Sequence, residues 1–203
     1  MFITFDGPNG VGKTTIINEV KRAMEMDGYK IYITREPSNS NIGQFIRNSE
    51  EKYNSYTLAN LVAADRHNHI TEEVLPQLAT GVIVLCDRYI ASSLILQVLD
   101  GLSVDDVMRI NTAILKPDIC FILRAKEETL YNRLAARENL TRFEREYTSK
   151  DELELSIKAA EYLSNERYNV QFIDTDKKIS NSVKVIKSNI MKLIKNKNQG
   201  GDL

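Results

Sequence analysis

The chain has 203 residues, with 27 lysines and arginines against 28 aspartates and glutamates, giving a net charge of −1 at pH 7. That length sets the expectation of a single domain over residues 1–203 with a sizeable core, and the charge balance gives no electrostatic case for nucleic acid or an anionic membrane as partner. No apolar run approaches the ~20 residues of a membrane span and the N-terminus enters a strand at once, so no signal peptide and a cytoplasmic location are expected.

The first predicted element is a buried strand, Phe2-Ile3-Thr4-Phe5, followed by Gly7-Pro8-Asn9-Gly10-Val11-Gly12-Lys13-Thr14. This string fits G-x-x-x-x-G-K-[ST], and Ile16, Ile17, Val20, Ala23 and Met24 follow at helical spacing. Strand, glycine loop and helix together make a phosphate cradle, because backbone N–H groups turn inward on an anion and the helix N-terminus adds partial positive charge. Asn9, Gly10, Val11, Gly12, Lys13, Thr14 and Thr15 form the expected nucleoside triphosphate site. Lys13 is suited to the β- and γ-phosphates and the Thr14 hydroxyl to Mg²⁺.

Further along, Lys30 to Thr34, Val82 to Cys86, Ile119 to Leu123 and Val170 to Ile173 read as buried, near-continuously apolar strands. A long helix from about Tyr56 to Leu78 is predicted from Leu58, Leu61, Val62, Val74, Leu75 and Leu78. The last helix sets Ile179, Val183, Ile186 and Ile190 on one face, with seven lysines between Lys177 and Lys197 read as a solvated face. Cys86 and Cys120 fall in apolar runs and read as core thiols, and Asn196 to Asp202 reads as a short polar tail. Five strands separated by helices predict an α/β fold: a five-stranded parallel sheet flanked by helices, with ligands beyond the strand C-termini.

Those strand ends carry chemistry. Thr34-Arg35-Glu36-Pro37 ends the second strand, and Asp87-Arg88-Tyr89 ends the third. Downstream of a phosphate loop, an aspartate at a strand end is a partner for Mg²⁺ and the arginine beside it suits a phosphate. Arg66, in Ala64-Asp65-Arg66, has a weaker case on its own. Arg133, Arg137, Arg142 and Arg145 lie among Glu138, Glu144 and Glu146. By itself such a run is a salt-bridged surface. In a phosphotransferase it is also where a lid, here approximately residues 137–150, would close over ATP.

At this point the chain resembles the thymidylate kinase family over Phe2 to about Ile186. The family's G-x-G-K-T-T is matched by Gly10 to Thr15, its T-R-E-P by Thr34 to Pro37, and its A-x-D-R by Ala63-Ala64-Asp65-Arg66. Its D-R-Y-x-x-S-S…Q is matched by Asp87-Arg88-Tyr89, Ser92-Ser93 and Gln97, and its lid pattern by Arg137 followed by Arg142-Phe143-Glu144. The arginine-free phosphate loop is similar to the bacterial branch, in which lid arginines serve the transferring phosphate.

The resemblance implies a P-loop nucleoside monophosphate kinase that converts dTMP to dTDP with ATP and Mg²⁺, acts as a homodimer and takes small nucleotides as partners. It implies that Thr14 and Asp87 organise Mg²⁺ and that Lys13, Arg88, Arg137 and Arg142 are catalytic. It further implies that Asn9, Arg35, Val62, Arg66, Arg88, Ser93, Leu96 and Gln97 line the acceptor site. Departures cluster on the acceptor side: Val62 stands where the family stacks a phenylalanine on thymine, Leu96 replaces a tyrosine, and Asn9 replaces an acidic residue. The family's arginine-glycine is missing around Val98 to Gly101. Two alternatives follow, a kinase for a different or modified monophosphate and a nucleotide-binding regulatory protein with weak turnover. Tyr53 or Tyr56 could supply the missing aromatic.

Overall fold

The five apolar runs become five strands in a computed structural model, which describes residues 1–199. They are β1 (Phe2–Asp6), β2 (Ile31–Arg35), β3 (Ile83–Asp87), β4 (Ile119–Arg124) and β5 (Val170–Asp174), in the spatial order β2-β3-β1-β4-β5 with every pairing parallel. β1 is central because all five of its residues are buried, with Thr4 in register with Cys86 on one side and Cys120 on the other. Both cysteines are buried and free. β2 and β5 are only partly covered, unlike the uniform burial expected for them, because an edge strand lacks a neighbour on one side.

Helices cover both faces of the sheet. α1 (Lys13–Glu25) packs against α10 (Ile179–Gln199), closing Ile17, Val20 and Met24 over Ile186 and Ile190. Each of those side chains contributes ~1.5–3 kcal/mol by burial. Ile179, expected on the same face, is exposed. Of the expected polar tail, residues 196–199 continue α10, and 200–203 lie outside the described residues. On the other face α5 (Ile90–Leu99) packs against α9 (Ser149–Asn165) through Leu94, Ile95, Ala159 and Leu163.

Between β2 and β3 come α2 (Asn41–Ser49) and α3 (Ser55–His69). The single helix expected over Tyr56–Leu78 is interrupted: α3 passes into a wider turn at Ile70–Val74 before α4 (Leu75–Ala79). Pro76 explains the break, since it has no N–H to give the preceding turn, and the Leu75 N–H reaches back to Ile70 O instead. The widened turn leaves Leu75, expected to face the core, exposed. After α5 come α6 (Val104–Ile110) and, beyond β4, α7 (Glu127–Ala135) and the five-residue α8 (Arg142–Glu146). A capping box starts α8, with Thr141 Oγ1 taking the Glu144 N–H and the Glu144 carboxylate taking the Thr141 N–H. The expected lid therefore comprises a loop, this one-and-a-half-turn helix and the first residues of α9.

Candidate active site

The phosphate loop connects β1 to α1 at the C-terminal edge of the sheet. Gly12 has φ 92°, a left-handed conformation that only glycine adopts without strain, and it turns the chain directly into α1. Lys13 follows, buried, with Nζ donating to Gly7 O and Pro8 O, both at 2.9 Å. Burial, and secondarily the Arg88 charge, pulls its pKa down to about 7 against the opposing pull of Asp87, Glu152 and Asp6. Val11 contributes backbone only: its side chain is in the core, and its carbonyl takes Arg133 Nη1 at 3.2 Å and Thr175 Oγ1 at 2.9 Å.

The strand ends converge on this loop. Thr14 Oγ1 donates to Asp87 Oδ2 at 2.8 Å, while Asp87 Oδ1 is buried without a partner. A hydroxyl, a carboxylate and an unsatisfied hard oxygen fit Mg²⁺, which takes few protein ligands and completes its octahedron with water and phosphate. Arg88, in the left-handed region at φ 72°, donates Nη2 to Asn9 Oδ1 at 2.6 Å. Asp6, at the end of β1, accepts the N–H groups of Tyr89 and Ser92 at 2.8 and 2.9 Å and the Ser92 hydroxyl at 2.6 Å. Those bonds hold the start of α5, the helix that carries Ser93, Leu96 and Gln97. Burial raises the Asp6 pKa despite these donors.

A cleft of about 470 Å³ opens over this edge. Asn9, Gly10, Gly12, Lys13, Thr14 and Thr15 line one end; Arg35, Val62, Arg66, Asp87, Arg88, Ser93, Leu96 and Gln97 line the rest. Arg66 is almost wholly enclosed. It gives Nε to Glu36 at 2.7 Å, Nη1 to Asn111 Oδ1, and Nη2 to Ser93 Oγ at 2.9 Å and Tyr89 O at 3.2 Å. Glu36 also faces His69 Nδ1 at 3.3 Å. Gln97 Oε1 is buried and has no partner.

The lid arginines part company. Arg137 lines the cleft, paired with Glu144. Arg142, expected at the transferring phosphate, lies instead in a second cavity beside Tyr53, Asp100 and Tyr147. Both Asp100 oxygens accept from it, at 2.8 and 3.0 Å, and Glu146 takes it at 3.0 Å. A two-pronged carboxylate–guanidinium pair is among the stronger polar contacts a side chain can make, which explains the diversion. Neither tyrosine considered as a substitute aromatic reaches the cleft. Tyr53 borders the second cavity, and the exposed Tyr56 bonds Asp106 through its hydroxyl at 2.6 Å.

Neither Glu152 nor the position of Phe143 is signalled by the sequence. Glu152, on α9 and 2% exposed, accepts both the backbone and side-chain N–H groups of Asn9. Nothing in the spacing of the chain announces a contact across 143 positions. Phe143 stood in the lid motif and lines the cleft from α8.

A triphosphate loop and a second cationic recess sharing one cleft, above a parallel sheet, define a P-loop phosphotransferase acting on a small phosphorylated acceptor. Residues 5–186 match the thymidylate kinase family, and the chain belongs to that family. It is 34% identical over 204 residues to a probable thymidylate kinase of Caldivirga maquilingensis, covering 98% of this chain and 96% of that one. It is also 37% identical over 141 residues to a thymidylate kinase of Caldicellulosiruptor saccharolyticus, covering 66% of this chain and 68% of that one. A thymidylate kinase of Bacillus pumilus is 45% identical over 117 residues, 55% of either chain.

Proposed function

We propose that the chain transfers the γ-phosphoryl group of ATP to the 5′-phosphate of dTMP, giving dTDP and ADP. The observation that carries this reading is the single cleft that joins Lys13, Thr14 and Asp87 at one end to Arg35, Arg88 and Gln97 at the other. An acceptor phosphate oxygen bonds to the γ-phosphorus as the bond to the β,γ-bridging oxygen breaks. The nucleophile is already anionic, so no strong general base is required, and positioning with charge neutralisation supplies most of the acceleration.

Lys13 leaves its loop carbonyls for the β- and γ-phosphate oxygens. Thr14 and Asp87 would hold Mg²⁺, which when bound would supply charge neutralisation on the triphosphate. Arg35 and Arg88 clamp the acceptor phosphate, and the free Gln97 Oε1 takes an N–H of the base. Arg137 brings positive charge from the lid, residues 137–150, while Arg142 serves by holding that lid down. The whole chain acts as one domain, pairs as a homodimer and works in the cytoplasm. Among the described residues no helix is long and apolar enough to cross a membrane, which is compatible with that setting.

A second reading, a different monophosphate as acceptor, is favoured by Val62 and Leu96, which give the base pocket aliphatic walls. ADP release measured with dTMP, dUMP, UMP, dCMP and dGMP separates the two. A dominant dTMP rate supports the first, a dominant rate with another acceptor replaces it with the second, and no release with any acceptor removes both in favour of a regulatory protein.

A further inference from the structure

Phe143 enters the cleft from the lid. It is 6% exposed and packs with Ile46 and Leu58 in a cluster that Val62 and Leu96 also join, and all five line the cleft. Two neighbours hold its ring. The Arg142 guanidinium carbon lies 4.4 Å from the ring centroid, and the Tyr147 ring is 5.9 Å away at an interplanar angle of 27°. Arg142 is in turn gripped by both oxygens of Asp100. Asp100 also accepts the Ser55 N–H at 2.6 Å, at the start of the helix bearing Val62 and Arg66. One carboxylate therefore ties the lid helix to an acceptor wall. It sits where the sequence departs from the family's arginine-glycine, and a cation there would repel Arg142 rather than hold it.

We propose that Phe143 is a specificity-determining residue for the acceptor: the nucleobase packs against its ring, and the Arg142–Asp100 pair is the positioning element that keeps the ring in the cleft. The inference rests on the kinase reading above. The aliphatic Val62 offers no flat surface, so the aromatic contact comes from the lid and forms only when the lid is docked. A planar base gains from an aromatic ring in either stacked or edge contact.

The test compares wild type, Phe143→Ala, Phe143→Leu and Asp100→Asn in the full chain. Dissociation constants are measured for dTMP and for 2-deoxyribose 5-phosphate, which has the phosphate and sugar but no base. Phe143→Ala weakens dTMP roughly tenfold or more, as loss of a base–aromatic contact does. Phe143→Leu weakens it less, Asp100→Asn weakens it in the same direction, and 2-deoxyribose 5-phosphate binds all four proteins alike. Adding Val62→Phe to Phe143→Ala restores part of the dTMP affinity. Unchanged dTMP affinity in Phe143→Ala, or equal weakening of 2-deoxyribose 5-phosphate, overturns the proposal. Should Phe143→Ala fail to fold, Phe143→Leu decides by the same comparison. Because these are binding measurements, a wild type that binds dTMP without turnover defeats the kinase reading and leaves the Phe143 comparison standing.

Discussion

Glu152 accepts the Asn9 backbone N–H at 2.5 Å through Oε2 and the Asn9 side-chain N–H at 2.8 Å through Oε1, so one carboxylate fixes both main chain and side chain. With its nitrogen committed to Glu152, the Asn9 amide turns its oxygen to Arg88, which donates to it at 2.6 Å. A residue of α9 thereby sets an arginine at the end of β3.

Glu152→Gln should expose this chain of contacts. A glutamine offers one acceptor where two N–H groups need one, leaving a buried donor unsatisfied at a cost of about 1–3 kcal/mol. Urea unfolding measures that loss. Arg88 loses its fixed partner at the same time, so the acceptor KM rises severalfold while the ATP KM changes little. An unchanged acceptor KM would show that Arg88 is held without this help.

Lys13 predicts the pH dependence of triphosphate binding. In the free protein its pKa is pulled down to about 7, mainly by burial. A bound triphosphate places negative charge beside it and raises that pKa. Binding therefore takes up a proton at pH values above 7, and affinity falls by up to about tenfold per pH unit until the raised pKa is passed. Calorimetry in buffers of different ionisation enthalpy counts the proton. A Lys13→Met variant should bind weakly and lose the pH-dependent component. Its chemical step should be slowed by ~10²-fold or more, since a cation aimed at the moving phosphoryl group is gone.

Arg137 and Arg142 should separate in kinetics. Arg137→Ala removes a cation at the cleft, so kcat falls by about a hundredfold with the acceptor KM nearly constant. Arg142→Ala strands the buried Asp100 carboxylate, lowers stability by about 2–3 kcal/mol and acts on the acceptor KM. Steady-state kinetics together with thermal melts distinguish the two. A kcat loss in Arg142→Ala without a stability loss would return Arg142 to the transferring phosphate.

Gly43 is fixed by close approach. A Cβ there would lie 2.0 Å from Ser38 O and 2.6 Å from Ser38 N. Ser38 cannot retreat, because its N–H and hydroxyl are both bonded to the buried Asp65 at 2.6 Å. Gly43→Ala should cost about 1–3 kcal/mol, a Tm decrease of roughly 2–10 °C on a chain of this size. It also shifts the segment that directly follows Arg35, the last residue of β2, raising the acceptor KM. A melt within a degree of wild type would show that α2 accommodates the methyl group.

Sequence alone determined the parts whose chemistry is local. The loop from Gly7 to Thr14 reads as a phosphate cradle because glycine freedom, a lysine and a hydroxyl at fixed offsets suffice to define one. The five strands were legible as apolar runs. Asp87 and Arg88 were readable as site residues because parallel strands present their C-terminal ends on one edge of the sheet. Tertiary structure decided how the charges pair and which walls face the ligand. Arg137 and Arg142 look alike in the chain, yet one borders the cleft and the other is drawn away by Asp100, 42 positions earlier. Arg66 has only a weak case as a site residue from its own segment, and it is the fold that buries it at the cleft among Glu36, Asn111 and Ser93. Spacing along a chain specifies which groups a segment can offer; the partner of a charged group is whichever opposite charge the fold brings nearest, and only three dimensions set that distance.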